Sequence, residues 1–169
     1  MVRTKTLLPL LLTGGFILPA FADDAEHPEQ VQRISPAETR PSIVVGQSDF
    51  KAYFTGGDVR IDLLYPKDDA GTHSGAYVTF EPGARTNWHT HPAGQHIIVT
   101  SGVGYTQTWN GERRTIKTGD VVWCPVGVKH WHGASEKSAM THLVVTGVDK
   151  TGRNVTWLEP VTDGQYAGK

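Results

Sequence analysis

From Val59 onward, apolar and polar positions alternate in short stretches rich in Val, Ile, Thr, Trp and Tyr, and Gly, Pro, Asn or Asp separates one stretch from the next. A period of two sends successive side chains to opposite faces of a pleated strand, so the pattern predicts closely spaced antiparallel strands. They fall near 59–65, 75–81, 87–91, 95–101, 103–109, 113–117, 120–124, 130–133, 139–146 and 154–158. Asn110-Gly111 is a hairpin signal, and Gly119-Asp120 and Pro125-Val126-Gly127 mark two more reversals. The single helix expected is a short one near 162–166. The class is therefore all-β, with the strands arranged as a sandwich or barrel that closes its own edges.

Upstream the pattern changes. Residues 23–47 are polar and contain Pro28, Pro36 and Pro41, which reads as an arm or linker ahead of a domain at 48–169. Residues 1–22 read as a secretory signal: Arg3 and Lys5 precede an apolar run over 7–19 that closes on Ala20-Phe21-Ala22. The run is shorter than the ~20 residues of a membrane span and is broken by Pro9, Gly14, Gly15 and Pro19. Cleavage before Asp23 would deliver a chain without a membrane segment to the periplasm or the medium.

Composition narrows the partners. The 169 residues suit one core, and 16 basic against 17 acidic residues leave a formal charge of −1 with no basic stripe or acidic tail. Nothing here points to nucleic acid or a membrane surface; a small neutral molecule is the expected ligand. One cysteine, Cys124, allows no disulfide within the chain, and its place in Val121-Val122-Trp123-Cys124-Pro125 reads as a buried structural thiol.

The chemistry gathers in two segments. In the first, His89 and His91 stand two apart on a strand, so both imidazoles can face one ion. Pro92 and Gly94 turn the chain, and Gln95 can return with an amide oxygen. In the second, a strand and a Pro-x-Gly turn lead to His130 and His132, again two apart, and one of them can complete the site.

These segments resemble the two cupin motifs, G-x5-H-x-H-x3,4-E-x6-G and G-x5-P-x-G-x2-H-x3-N. The first is met at Gly83, His89, His91 and Gly102, the second at Gly119, Pro125, Gly127 and His130, while Gln95 replaces Glu and Ala134 replaces Asn. The resemblance implies a single-domain, jelly-roll-like antiparallel β-barrel holding one divalent metal through His89, His91, Gln95 and His130. A narrower resemblance, on Phe80-Glu81-Pro82-Gly83-Ala84-Arg85-Thr86, His130-Trp131-His132-Gly133-Ala134, Ala139-Met140-Thr141-His142-Leu143 and Val161-Thr162-Asp163-Gly164-Gln165-Tyr166, is to the small bacterial cupins that include manganese-dependent hydroxynitrile lyases, which also carry Gln at the Glu position.

Gln cancels none of the metal's charge, so the dication would be a stronger Lewis acid and less firmly trapped. Manganese is what the resemblance implies; Fe²⁺, Ni²⁺ and Zn²⁺ suit the same nitrogen and oxygen donors. His132 shares a face with His130, and His142 lies where the lyase-like cupins place a second pocket histidine, so both are candidates for proton transfer. Thr86 is placed to bond a substrate oxygen, and Ala76 and Val78 face the pocket together. Arg85 is expected to pair with a carboxylate at the rim, His96 to point away from the site, and Trp88, Trp123 and Trp131 to pack.

The activity implied is reversible cleavage of a cyanohydrin such as mandelonitrile to an aldehyde and hydrogen cyanide. A metal-dependent oxygenase acting on a small aromatic or enolisable compound is the alternative, and a non-catalytic periplasmic binding protein the third reading. A homodimer or homotetramer is expected.

Overall fold

The computed structural model describes residues 32–66 and 71–169, and the expected signal segment lies outside them. The alternation becomes twelve strands among the described residues: β1 (Ser42–Val44), β2 (Phe54–Thr55), β3 (Val59–Tyr65), β4 (His73–Phe80), β5 (Arg85–Thr86), β6 (His89–Thr90), β7 (Gln95–Thr108), β8 (Arg114–Lys117), β9 (Val121–Cys124), β10 (His130–Ala134), β11 (Met140–Gly147) and β12 (Thr156–Trp157). A four-residue helix, α1 (Asp163–Tyr166), follows, its first turn closed by a capping box between Thr162 and Gln165. Among the described residues no helix is long and apolar enough to cross a membrane.

All pairings are antiparallel, in the order β1-β3-β4-β11-β7-β10-β5-β2, with β8 and β9 on β7 and β6 between β10 and β12. The sheet curls on itself, and β7 is what joins its halves. Its first part, from Gln95, pairs with β11 and β9; its second, to Thr108, pairs with β10 and β8. Two strands were expected here, because Gly102 reads as a break. Instead the strand runs through: Gly102 has φ +81°, and a Cβ there would lie 1.9 Å from the Ala139 carbonyl oxygen, so glycine turns the corner without interrupting the ladder.

Of the expected strand at 87–91 only β6 forms, and β5 ends just before it. Between them Asn87 N–H bonds the Tyr53 carbonyl and Trp88 N–H bonds that of Glu159, so the backbone finds partners outside the neighbouring strands. Strand pairing also begins earlier than the expected domain start, since β1 pairs with β3 through Ser42 and Asp62. Three residues carry too little alternation to be seen in the sequence.

Register decides what the inner surface looks like. Ile61, Val78, His142 and Val99 lie in one row across β3, β4, β11 and β7; Leu63, Ala76, Val144, Ile97 and Val122 lie in the next. Phe80, Ile97, Met140 and Val99 are essentially inaccessible, forming the main core, and Trp88, Trp131, Val161 and Tyr166 form a second cluster. In that second cluster Arg85 is buried: it donates to the Val161 carbonyl at 3.1 Å and to Asp163 at 2.7 Å, with its guanidinium 4.5 Å from the centre of the Tyr166 ring. The carboxylate expected beside Arg85 is thus that of Asp163, on α1.

Trp88 and Trp131 pack as expected. Trp123 packs only on the outer surface, half exposed with its ring tilted against that of His96 at 4.5 Å. The period of two explains it: Cys124 turns inward and is buried, so its neighbour faces out. Burial pushes the Cys124 thiol up to about 12, as suits an unreactive structural cysteine.

Candidate metal centre

His89 on β6 and His130 on β10 are direct cross-strand partners, with ring centroids 4.3 Å apart. Each donates its Nδ1 proton to a carbonyl two residues upstream, His89 to Asn87 and His130 to Val128, both at 2.9 Å. His91, just beyond β6, donates Nδ1 to the Asn154 carbonyl at 2.5 Å. With Nδ1 committed in all three, Nε2 is the nitrogen left with a lone pair.

The turn after His91 depends on Gly94, at φ +79°, where a Cβ would meet the Trp123 ring at 2.2 Å. It returns the chain to Gln95, whose Nε2 donates to Thr146 Oγ1 at 3.0 Å and whose Oε1 is left without a partner. His91 Nε2 and His130 Nε2 are likewise buried and unpartnered. Three orphaned acceptors in one interior are costly unless something positive meets them, and a divalent cation is what this donor set fits.

The tightest trio differs from the expected one. Ligating nitrogens of His89, His130 and His132 all lie within 4.8 Å of one another. His91 stands a little further out, its ring 5.0 Å from His89 and 5.3 Å from His130. The His91 Nε2 is buried without a partner, as the His130 Nε2 is, while His132 lines the cavity with its Nδ1 engaged by His142 Nε2 at 3.1 Å.

All five imidazoles are neutral at pH 7. Burial is the leading cause in each, lowering His91 to about 4 and His142 to about 3, and depressing His89, His130 and His132, the first and last further by repulsion from neighbouring histidines. Neutral nitrogens are what both a metal and a proton acceptor require.

Beside the histidines opens a cavity of about 280 Å³. His89, His91, Gln95 and His132 form its polar side; Ile61, Leu63, Ala76, Val78, Val144 and Trp157 are among the apolar residues around it, and among the described residues no Asp, Glu, Lys or Arg lines it. Thr86 also lines it, its hydroxyl oxygen accepting from His132 N–H at 3.2 Å. His142 does not line the cavity: wholly buried, it stands behind His132. His96 is exposed on the other face of the sheet, and His73 is exposed.

Several residues at the cavity had no signal in the sequence. Trp157 lies 5.0 Å from the His89 ring and stacks on Tyr53 at 4.9 Å, while Phe50 and Phe54 come from the segment just before β3. Thr146 and Asn154 reach the donors only through long-range contacts, and only strand pairing could have announced them.

A model of the cupin domain matches residues 76–146. An (R)-mandelonitrile lyase of Granulicella tundricola is 54% identical over 114 residues, covering 68% of this chain and 86% of that protein. A cupin-like protein of Thermotoga maritima with a solved structure is 40% identical, with a TM-score of 0.62, over 68% of this chain and 85% of that one. The polyketide cyclase RemF of Streptomyces resistomycificus, 15% identical with a TM-score of 0.59 over 80% of this chain and 91% of its own, shares the fold alone.

Proposed function

Because this chain belongs to the cupin family, we propose that its cavity is the active site of a metal-dependent lyase that cleaves and forms cyanohydrins, with mandelonitrile as a representative substrate. The observation that carries this reading is the set of unpartnered donor atoms, His91 Nε2, Gln95 Oε1 and His130 Nε2, the first two on residues that line a mostly apolar cavity also lined by a neutral His132. The (R)-mandelonitrile lyase relative supports the same substrate class.

His89, His91, Gln95 and His130 would hold the ion, Mn²⁺ in the first instance. When bound, a dication with four neutral ligands supplies undiminished positive charge to an anion formed beside it. The remaining work belongs to the chain. One proton lies between His132 Nδ1 and His142 Nε2; carried on His132 Nδ1 and donated to His142 Nε2, it leaves His132 Nε2 with a lone pair for the cavity. His132 then removes the substrate hydroxyl proton. The oxygen's electron pair forms the carbonyl, the bond to the nitrile carbon breaks, and cyanide leaves with the bonding pair. His132 returns the proton to cyanide, giving hydrogen cyanide and the aldehyde.

His142 acts through His132, accepting from the imidazolium as it forms. Thr86 Oγ1 accepts from the His132 backbone and keeps its own proton for the substrate oxygen. The apolar side, with Ala76 and Val78, receives the substituent on the carbinol carbon.

The test is benzaldehyde release from mandelonitrile by protein loaded with Mn²⁺, with and without oxygen. Turnover that persists anaerobically and falls by about 10²-fold or more in His132→Ala is expected. Turnover that requires oxygen would replace the lyase with an oxygenase. Tight ligand binding with no turnover under any metal would leave a binding protein.

A further inference from the structure

The four donors are held in two different ways. His89 and His130 are locked by carbonyls two residues away in their own segments. His91 and Gln95 are locked from a distance, by the Asn154 carbonyl and the Thr146 hydroxyl, which lie 63 and 51 residues away. These distant partners are linked: Asn154 Nδ2 donates to Ser74 Oγ at 3.0 Å, and Ser74 Oγ donates to the Thr146 carbonyl at 3.5 Å.

Gln95 is the donor most in need of such support. Its amide has two ends of nearly equal shape, but only the oxygen offers a lone pair, and rotation by half a turn would present N–H groups to the ion instead. Thr146 is 4% exposed and Gln95 5%, so the bond between them is shielded from bulk solvent. With the hydroxyl oxygen accepting from Nε2, the oxygen end is the one left facing the site.

Resting on the metal reading above, we propose that Thr146 is a positioning residue: through Gln95 it sets the affinity of the centre for its ion. Valine has the shape of threonine without the acceptor. Thr146→Val removes the observed partner of Gln95 Nε2 and frees the amide to turn away from the orientation that aims Oε1 at the site.

The experiment is calorimetric titration of the metal-free protein with Mn²⁺, and in parallel with Zn²⁺, for wild type, Thr146→Val and Thr146→Ser, with melting of each metal-free form as the check on folding. T146V should weaken binding by about 10- to 100-fold, the usual effect of losing a partner of a metal ligand, and T146S should stay within about threefold of wild type. On a Gln95→Ala background T146V should have no further effect, whereas a merely structural threonine would still matter there. T146V binding as tightly as wild type overturns the proposal and leaves the metal reading standing. Wild type that takes up neither ion overturns both. If T146V does not fold, Thr146→Ala carries the same test.

Discussion

The two sides of the cavity are built on different terms. On one side His89, His130 and His132 sit on β6 and β10, short strands with partners along both edges, and every residue of β10 is buried. On the other, Ile61, Leu63, Ala76, Val78 and Val144 sit in long rows across β3, β4 and β11. The histidine side offers fixed lone pairs with no freedom to adjust. The apolar side offers area and volume, which neighbouring side chains can share out in several ways. Changes on the first should abolish function, and changes on the second should grade it.

The largest effect is expected from His89→Ala: loss of metal from the purified protein, measured by elemental analysis, and of all turnover. A His89→Ala protein that keeps its metal would mean that His132 takes over the vacant position. His132→Ala should keep the metal and lower kcat by about 10²- to 10⁴-fold, the range for losing a positioned acid-base group. His142→Gln should also keep the metal and should cost less than His132→Ala, because it touches the reaction only through its neighbour.

Acid separates the two sides further. The histidines are neutral in the fold but protonate below pH 6.5 when unfolded, with His91 and His142 held at about 4 and 3 by burial. Their contribution to stability is therefore complete above 6.5 and is lost as the pH falls toward those values, by up to about 1.4 kcal/mol per pH unit for each histidine. Urea midpoints of the metal-free protein at pH 7 and pH 5 measure this, and equal midpoints would break the account.

On the apolar side, Ala76→Leu should raise KM for an aromatic cyanohydrin about tenfold at unchanged metal content, since it fills part of the space that receives the substituent. Smallest of all, Trp123→Ser on the outer face should change stability by about 0.5 kcal/mol or less, in thermal or urea melts.

Most of the strands and the donors close in sequence were legible beforehand. His89, His91 and Gln95 are separated by a turn whose glycine and proline announce it, and strand alternation alone put His130 and His132 on one face. What was not legible depends on pairing across the sheet. Trp157 meets His89 only because β12 pairs with β6, and Thr146 meets Gln95 only because β11 pairs with β7. Neither alternation nor turn chemistry encodes such meetings. Trp123, expected to pack as aromatics do on pleated sheets, does so on the outer face, because the inward turn of Cys124 sends its neighbour out.

The buried guanidinium of Arg85 has a consequence for synthesis. Its partners Val161, Asp163 and Tyr166 arrive some 76 to 81 residues after it in the chain. Until they emerge, a nascent chain must leave that cation in water or strand it among apolar groups, so the tryptophan cluster around it closes only after residue 166 has been made. A chain cut before Val161 would keep every donor atom of the metal centre and still lack the clasp that lets this end of the sheet settle.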